Sequence, residues 1–135
     1  MKRFTDNNDG TVTDNKTGLM WVKDGTSAEC NNGKTLKWQE AIDFCKGLDF
    51  AGHKDWRLPT IQELQSIVDY GAYNPAIDKE YFHNTQCNYY WSSTTYAYVT
   101  GYAWSVHFYY GNVNDGSKTY SNYVRPVRGG QLIIW

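Results

Sequence analysis

Methionine, proline and cysteine are scarce in this chain, with two Met, three Pro and three Cys among 135 residues. So little proline excludes a Pro-rich linker, and so few cysteines exclude a disulfide-dense scaffold. The cysteines, Cys30, Cys45 and Cys87, are odd in number and lack the close paired spacing of a zinc site. No apolar run is long enough to span a bilayer, so membrane insertion is not expected. Met1-Lys2-Arg3-Phe4 carries positive charge with no apolar stretch behind it, so no signal peptide is expected either. Charge of one sign is missing too: 13 basic and 14 acidic residues leave a net charge of -1. Nucleic-acid binding would need a basic stripe, and none is present.

Aromatic residues are abundant, at 17% of the chain, and the hydrophobic fraction of 41% is that of a globular protein. The length suits one domain over 1–135. Asp9-Gly10 and Asn15-Lys16-Thr17-Gly18 are turn signals around strands at Phe4, Thr11–Thr13 and Leu19–Val22. The acidic run Asp6–Gly10 lacks both the glycine position and the distant Glu of an EF-hand loop, so these residues read as turn-formers and calcium is not required.

Leu36, Trp38, Ala41, Ile42, Cys45 and Leu48 recur at helical spacing after a capping Thr35. Cys45 then lies on the apolar face, as a buried thiol. Cys30 and Cys87 sit in polar loops, and both a disulfide between them and two free thiols are open. Thr60 with Glu63 forms a capping box for a second helix, whose core face is Ile61, Leu64, Ile67 and Val68 and which ends near Gly71. Tyr73 to Asn88 reads as irregular. Tyr89–Ser93 begins a sheet, Thr94–Gly101 is a loop, and Ala103–Tyr109 is the central strand. Tyr110-Gly111 turns into Asn112-Val113, Asn114–Asn122 is a loop, and Tyr123–Arg128 is the last strand, with an edge or bulge at Pro126.

In the central strand, Trp104, Val106 and Phe108 alternate with Ser105, His107 and Tyr109. The period of two predicts the first set buried and the second exposed. The flanking loops add Tyr98, Val99, Gly101, Tyr102, Tyr110, Asn114, Asp115, Ser117, Tyr120 and Ser121. Tyr, Ser, Gly and Asn are the residues of adaptable binding surfaces. These thirteen positions are therefore the candidate ligand-binding set, expected to cluster on one exposed face. All of their residue types can be reached by changing the adenines of an Asn codon. Between Tyr96 and Tyr123 there is no Glu, Gln or Met, and Lys118 is the single Lys. Trp104 and Lys118 lie outside the reachable set, as framework residues would.

No enzyme is expected. A nucleophile or base needs an orienting partner, and His53, His83 and His107 come with no glycine elbow or phosphate-cradling loop. Arg57 is read as structural, pairing with a carboxylate or the backbone to hold its loop. No catalytic residue, metal site or cofactor is assigned.

The stretches DNNDGTVTDNKTGLMW, WQEAIDFC, DWRLPTIQELQSIVDY, YYWSSTTY and YVRPVRGGQ resemble, along nearly the whole chain, the C-terminal domain of the Legionella collagen-like adhesin. Arg57–Thr60 and Val124–Arg128 are also similar to C-type-lectin folds of the formylglycine-generating-enzyme type. The resemblance implies an α+β, C-type-lectin-like domain with two helices and a twisted antiparallel sheet. Within that group, Trp91–Arg128 is similar to the variable region of proteins diversified by retroelements, where adenine-directed mutagenesis rewrites a binding surface. Many relatives carry Cys at the place of Pro126, opposite a helix Cys like Cys45, so that disulfide is lost here. Calcium-site motifs and the copper-binding cysteine pair are absent, which argues against calcium-dependent sugar binding and oxidase activity.

The function expected is recognition of an unidentified protein or glycan ligand on a cell surface, from a virion surface or an extracellular face. The alternative is a constant adhesin domain binding glycosaminoglycan or another surface glycan. Neither reading fixes an oligomeric state.

Overall fold

Two turns organise the amino-terminal third. In the computed structural model, which describes residues 2–130, β1 (Phe4–Asp6), β2 (Thr11–Asp14) and β3 (Leu19–Val22) form an antiparallel meander. The returning strand β9 (Val127–Gly129) pairs with β3 and completes the order β1-β2-β3-β9. Gly10 and Gly18 take positive φ at the turns, as these hairpins require. The acidic side chains build the same turns. Asp9 Oδ1 accepts from the Thr11 amide, and Asp14 Oδ1 accepts from the Lys16 amide and from Arg3.

The first helix, α1 (Trp38–Lys46), starts later than its apolar spacing predicts. Thr35 is not its cap. Leu36 and Lys37 form β4 instead, paired with β8 (Ser121–Asn122). A distant partner's hydrogen bonds override local helical periodicity there. The second helix, α2 (Ile61–Ser66), begins at the predicted capping box: Thr60 Oγ1 accepts from the Glu63 amide while Glu63 accepts from the Thr60 amide. It ends at Ser66 rather than near Gly71, and Ile67 and Val68 reach the core from a turn.

The remaining sheet is β5 (Tyr89–Thr95), β6 (Tyr102–His107) and β7 (Asn112–Ser117), in the order β5-β6-β7. The stretch from Asn114, expected to be a loop, is strand to Ser117. Pro126 lies between β8 and β9, where it offers only its carbonyl, to Val22. The chain is thus an α+β domain with few helices and antiparallel sheets.

Both faces of β6 are covered. Val106, Phe108 and Tyr90 join Leu64, Ile67, Phe82 and Trp21 in the main core, with Trp104 partly buried against it. Ala103 and Trp91 join Ala41, Cys45 and Val124 on the opposite face. This corrects two expectations. Ser105, predicted exposed, is buried beside Trp91, its register partner, and Trp104 is only half-buried. His107 and Tyr109 are half-buried rather than exposed. The period of two is intact, but the second face meets another core instead of water.

All three thiols are free, with Cys30 and Cys45 buried. Burial pushes the Cys30 thiol up to about 12, so it stays protonated and unreactive.

Arg57 ties α2 to the end of β9. Its guanidinium grips Glu63 through two hydrogen bonds of 2.6 and 2.7 Å and reaches the Gly129 carbonyl at 2.9 Å. Burial works to raise the Glu63 carboxyl, but Arg57 and the Thr60 amide outweigh it and hold it below its ordinary 4.5. Asp14 is likewise pushed up by burial and brought below 3.8 by Arg3 and the Lys16 amide. A carboxyl lowered in the folded state stabilises above its unfolded value and loses that contribution as pH falls through the folded value. Melting temperature is therefore expected to hold from neutral pH to about pH 5 and to fall steadily below about pH 4.5. Glu63→Gln should flatten part of that acid limb in a thermal-melt series, whereas an identical limb would assign it elsewhere.

Candidate ligand-binding groove

The β6–β7 register decides where the candidate residues go. Six consecutive pairs run unbroken from Tyr102↔Ser117 to His107↔Asn112. Side chains alternate across a sheet, so His107, Ser105, Asn112 and Asn114 share one face. Tyr102, Asp115 and Ser117 take the other, with Trp104.

At the turn end of the first face is a shallow cavity of about 280 Å³, lined by Tyr89, His107, Tyr109, Tyr110, Asn112 and Asn114. Its walls are aromatic and mutually braced. Tyr109 and Tyr110 meet at 4.6 Å between ring centroids, His107 stands edge-on to Tyr89 at 4.5 Å, and Tyr73 stacks on Tyr110 at 6.0 Å. Tyr73 comes from the irregular segment, which the Asn74 amide ties to the Tyr109 carbonyl and the Ala76 amide to Phe108. Gly111 closes the turn at φ +87°, and a Cβ on it would stand 2.3 Å from Val68 Cγ1. Only glycine lets the turn seat that closely.

The Tyr109 amide donates to His107 Nδ1 at 3.2 Å. In the neutral ring the proton is then on Nε2. Together with the Asn112 and Asn114 amides and the tyrosine hydroxyls, the groove offers hydrogen-bond donors and acceptors on aromatic walls. No Asp, Glu, Lys or Arg lines it.

Four predicted residues thus meet here: His107, Tyr109, Tyr110 and Asn114. Tyr120 lies further along the same face, packed over Gly116. The expectation of a single cluster does not hold for the rest. Tyr98, Val99, Gly101 and Tyr102 stand at the far end of β6, about 17 Å away at ~3.3 Å per residue. There Tyr98 meets Tyr96, which stands edge-on to Trp104 at 4.9 Å. Asp115 and Ser117 point to the opposite face, Ser105 is buried, and Ser121 pairs with Lys37. Alternation along a paired strand separates residues that a loop would have allowed to gather.

Three groove residues escaped the sequence reading. Tyr73 lies in a segment with no periodicity, while Tyr89 and Asn112 are identified only by their pairing with His107. Lys118, the framework lysine, caps the far end. Its ammonium sits 4.0 Å from the Trp38 ring centroid and donates to Thr95 Oγ1 at 2.9 Å.

Comparison with known proteins gives one family. The profile described as the Lcl C-terminal domain matches residues 10–128. No curated protein matches the chain.

Proposed function

The chain belongs to the Lcl C-terminal domain family, and from that premise we propose that it is a non-enzymatic recognition module that binds a cell-surface ligand through the Tyr-rich groove at the β6–β7 turn. The family supports an adhesin-type, surface-binding role. The groove carries the finer reading: aromatic side chains with small entropy cost surround hydrogen-bonding groups, which is the composition of adaptable paratopes. The frame is read as C-type-lectin-like, from the two short helices, the antiparallel sheets and the resemblance along the chain. Binding is calcium-independent in this proposal, since Asp9 and Asp14 are committed to their turns.

We further propose that this surface is one that a retroelement diversifies. The support is that groove residues are reachable from an Asn codon, while Trp104 and Lys118 are not. A near-identical template repeat beside a reverse-transcriptase gene in the flanking DNA tests this part. The alternative, a constant domain binding glycosaminoglycan, needs a Lys/Arg cluster and salt-sensitive affinity. No Lys or Arg lines the groove, and Lys118 is engaged with Trp38 and Thr95.

The binding test is a combined Ser substitution of Tyr98, Tyr102, Tyr109 and Tyr110, read against whole cells with and without chelator. Aromatic anchors dominate interface energies, so affinity should fall at least about tenfold. Because these positions lie at two ends of the sheet, the pairs are also tested separately. The Tyr109/Tyr110 pair should carry the loss. An equal loss from Tyr98/Tyr102 alone would move the site to the other end, and an unchanged affinity in the quadruple variant would end the proposal.

A further inference from the structure

We propose that the outer edge of β7 receives an extended peptide segment of a partner protein, which pairs as a fourth strand and lays one large side chain into the Tyr109–Tyr110 groove and one basic side chain opposite Asp115. This rests on the reading that the groove binds a ligand.

The ladder shows which way the β7 backbone faces. The Lys118 amide donates to the Gly101 carbonyl, and the Gly111 amide donates to the His107 carbonyl. In an antiparallel ladder these bonds recur at every second pair. Asn112, Asn114 and Gly116 therefore turn their backbone groups toward β6, and Val113 and Asp115 turn theirs outward. By that parity they take no part in the β6–β7 ladder, no further strand flanks β7 among the described residues, and no bond outside the ladders reaches the amide or carbonyl of Val113 or Asp115 there. The other edge of this sheet is already taken. The Trp91 amide donates to Tyr123, and the Tyr123 amide donates to Tyr89, so the segment at Tyr123 covers β5.

An unpaired edge is a template for another strand unless charge, proline or a bulge blocks it. β7, Asn112–Ser117, has no Lys, no Pro and an unbroken register, and its one charge is the exposed Asp115, which repels acidic segments and leaves the edge open to a segment that brings a basic side chain. Strand addition also accounts for the candidate residues splitting across two faces. An added strand alternates its own side chains. On one face they meet Asn112, Asn114 and the tyrosine groove, and on the other Asp115, which is exposed.

The same points choose the occupant. A second copy's β7 would bring only Asn, Val, Asp, Gly and Ser to the edge. None of these fills an aromatic groove or neutralises Asp115, so a partner segment with an aromatic or large apolar residue and a nearby Lys or Arg fits better.

The test uses short linear peptides selected from a displayed random library against the intact chain. Selected peptides should combine an aromatic or apolar residue with a basic one. Their binding should slow hydrogen exchange at the Val113 and Asp115 amides. Asp115→Pro removes one outward donor and leaves the inner ladder alone, which an edge strand tolerates. It should weaken binding at least about tenfold with melting temperature nearly unchanged, and Asp115→Asn should weaken it less. The exchange measurement on the unmodified chain decides the matter even if the proline variant does not fold.

Failure to select any peptide, exchange unchanged at both amides, or full affinity in a folded Asp115→Pro variant would each overturn the proposal. So would a dimer of the unmodified chain that Asp115→Pro dissociates, since a second copy would then own the edge. Loss of peptide binding on replacing Tyr109 and Tyr110 but not Asp115 would reject the edge and keep the groove. The reverse result would keep the edge and reject the groove.

Discussion

Arg125→Ala is expected to destabilise the domain by about 4 kcal/mol, and to lower the denaturation midpoint accordingly. Arg125 is 1% exposed. Its guanidinium donates to the Val22 carbonyl at 2.8 Å, the Lys23 carbonyl at 2.9 Å, the His83 carbonyl at 3.3 Å and Thr85 Oγ1 at 2.7 Å. It therefore joins β3 to the irregular segment before β5 through acceptors far apart in sequence. Gly25 packs against this hub so closely that a Cβ there would stand 2.6 Å from the Asn84 carbonyl oxygen and 3.0 Å from Arg125 Nη2.

Removing the side chain leaves several buried acceptors short of a donor, each worth about 1–3 kcal/mol, and opens a cavity besides. Against a total stability of about 5–15 kcal/mol, that is a large fraction. Lys at this position should recover only part of the loss, because an ammonium cannot reproduce the planar fork. A midpoint shift below about 1 kcal/mol for Arg125→Ala would mean that water satisfies these carbonyls and that the hub contributes little.

The features legible in the sequence are those set by neighbours along the chain. The hairpin turns at Gly10 and Gly18 and the Thr60–Glu63 box depend on local hydrogen bonds, and the structure has them. Arg57, read as a loop-holding cation, does pair with a carboxylate and the backbone. What failed depends on distant partners. Leu36 keeps helical spacing yet pairs with Asn122. Asn114-Asp115-Gly116-Ser117 has the composition of a loop and is strand because β6 is beside it. Ser105 looked solvent-facing because nothing in its own segment announces Trp91 and the second core behind it. The candidate site suffered from the same gap. Its residue types were chosen from composition, but which of them meet is a question of register, and register was not visible until β7 was known to be paired.

The second large effect is expected from Phe108→Ala, at roughly 3–5 kcal/mol, with Tyr110→Ser costing less than about half a kcal/mol. The two positions are neighbours but one, and they separate folding from recognition. Phe108 is 1% exposed and stands edge-on to Tyr90 at 5.2 Å in the main core. Tyr110 is 63% exposed, on the groove wall. Phe108 also anchors the site, since its amide donates to Asn88 and its carbonyl accepts from Ala76 at 2.7 Å, holding the segment that carries Tyr73.

Truncating its ring leaves those backbone groups in place but removes the packing that seats them. Phe108→Ala should therefore lower the denaturation midpoint strongly and, at temperatures where it remains folded, weaken ligand binding only modestly. Tyr110→Ser should do the opposite. An unchanged midpoint in Phe108→Ala would show that the alternation in β6 was assigned to the wrong face. Equal destabilisation by Tyr110→Ser would show that the groove tyrosines brace the fold, and a recognition surface built on them would then not be replaceable.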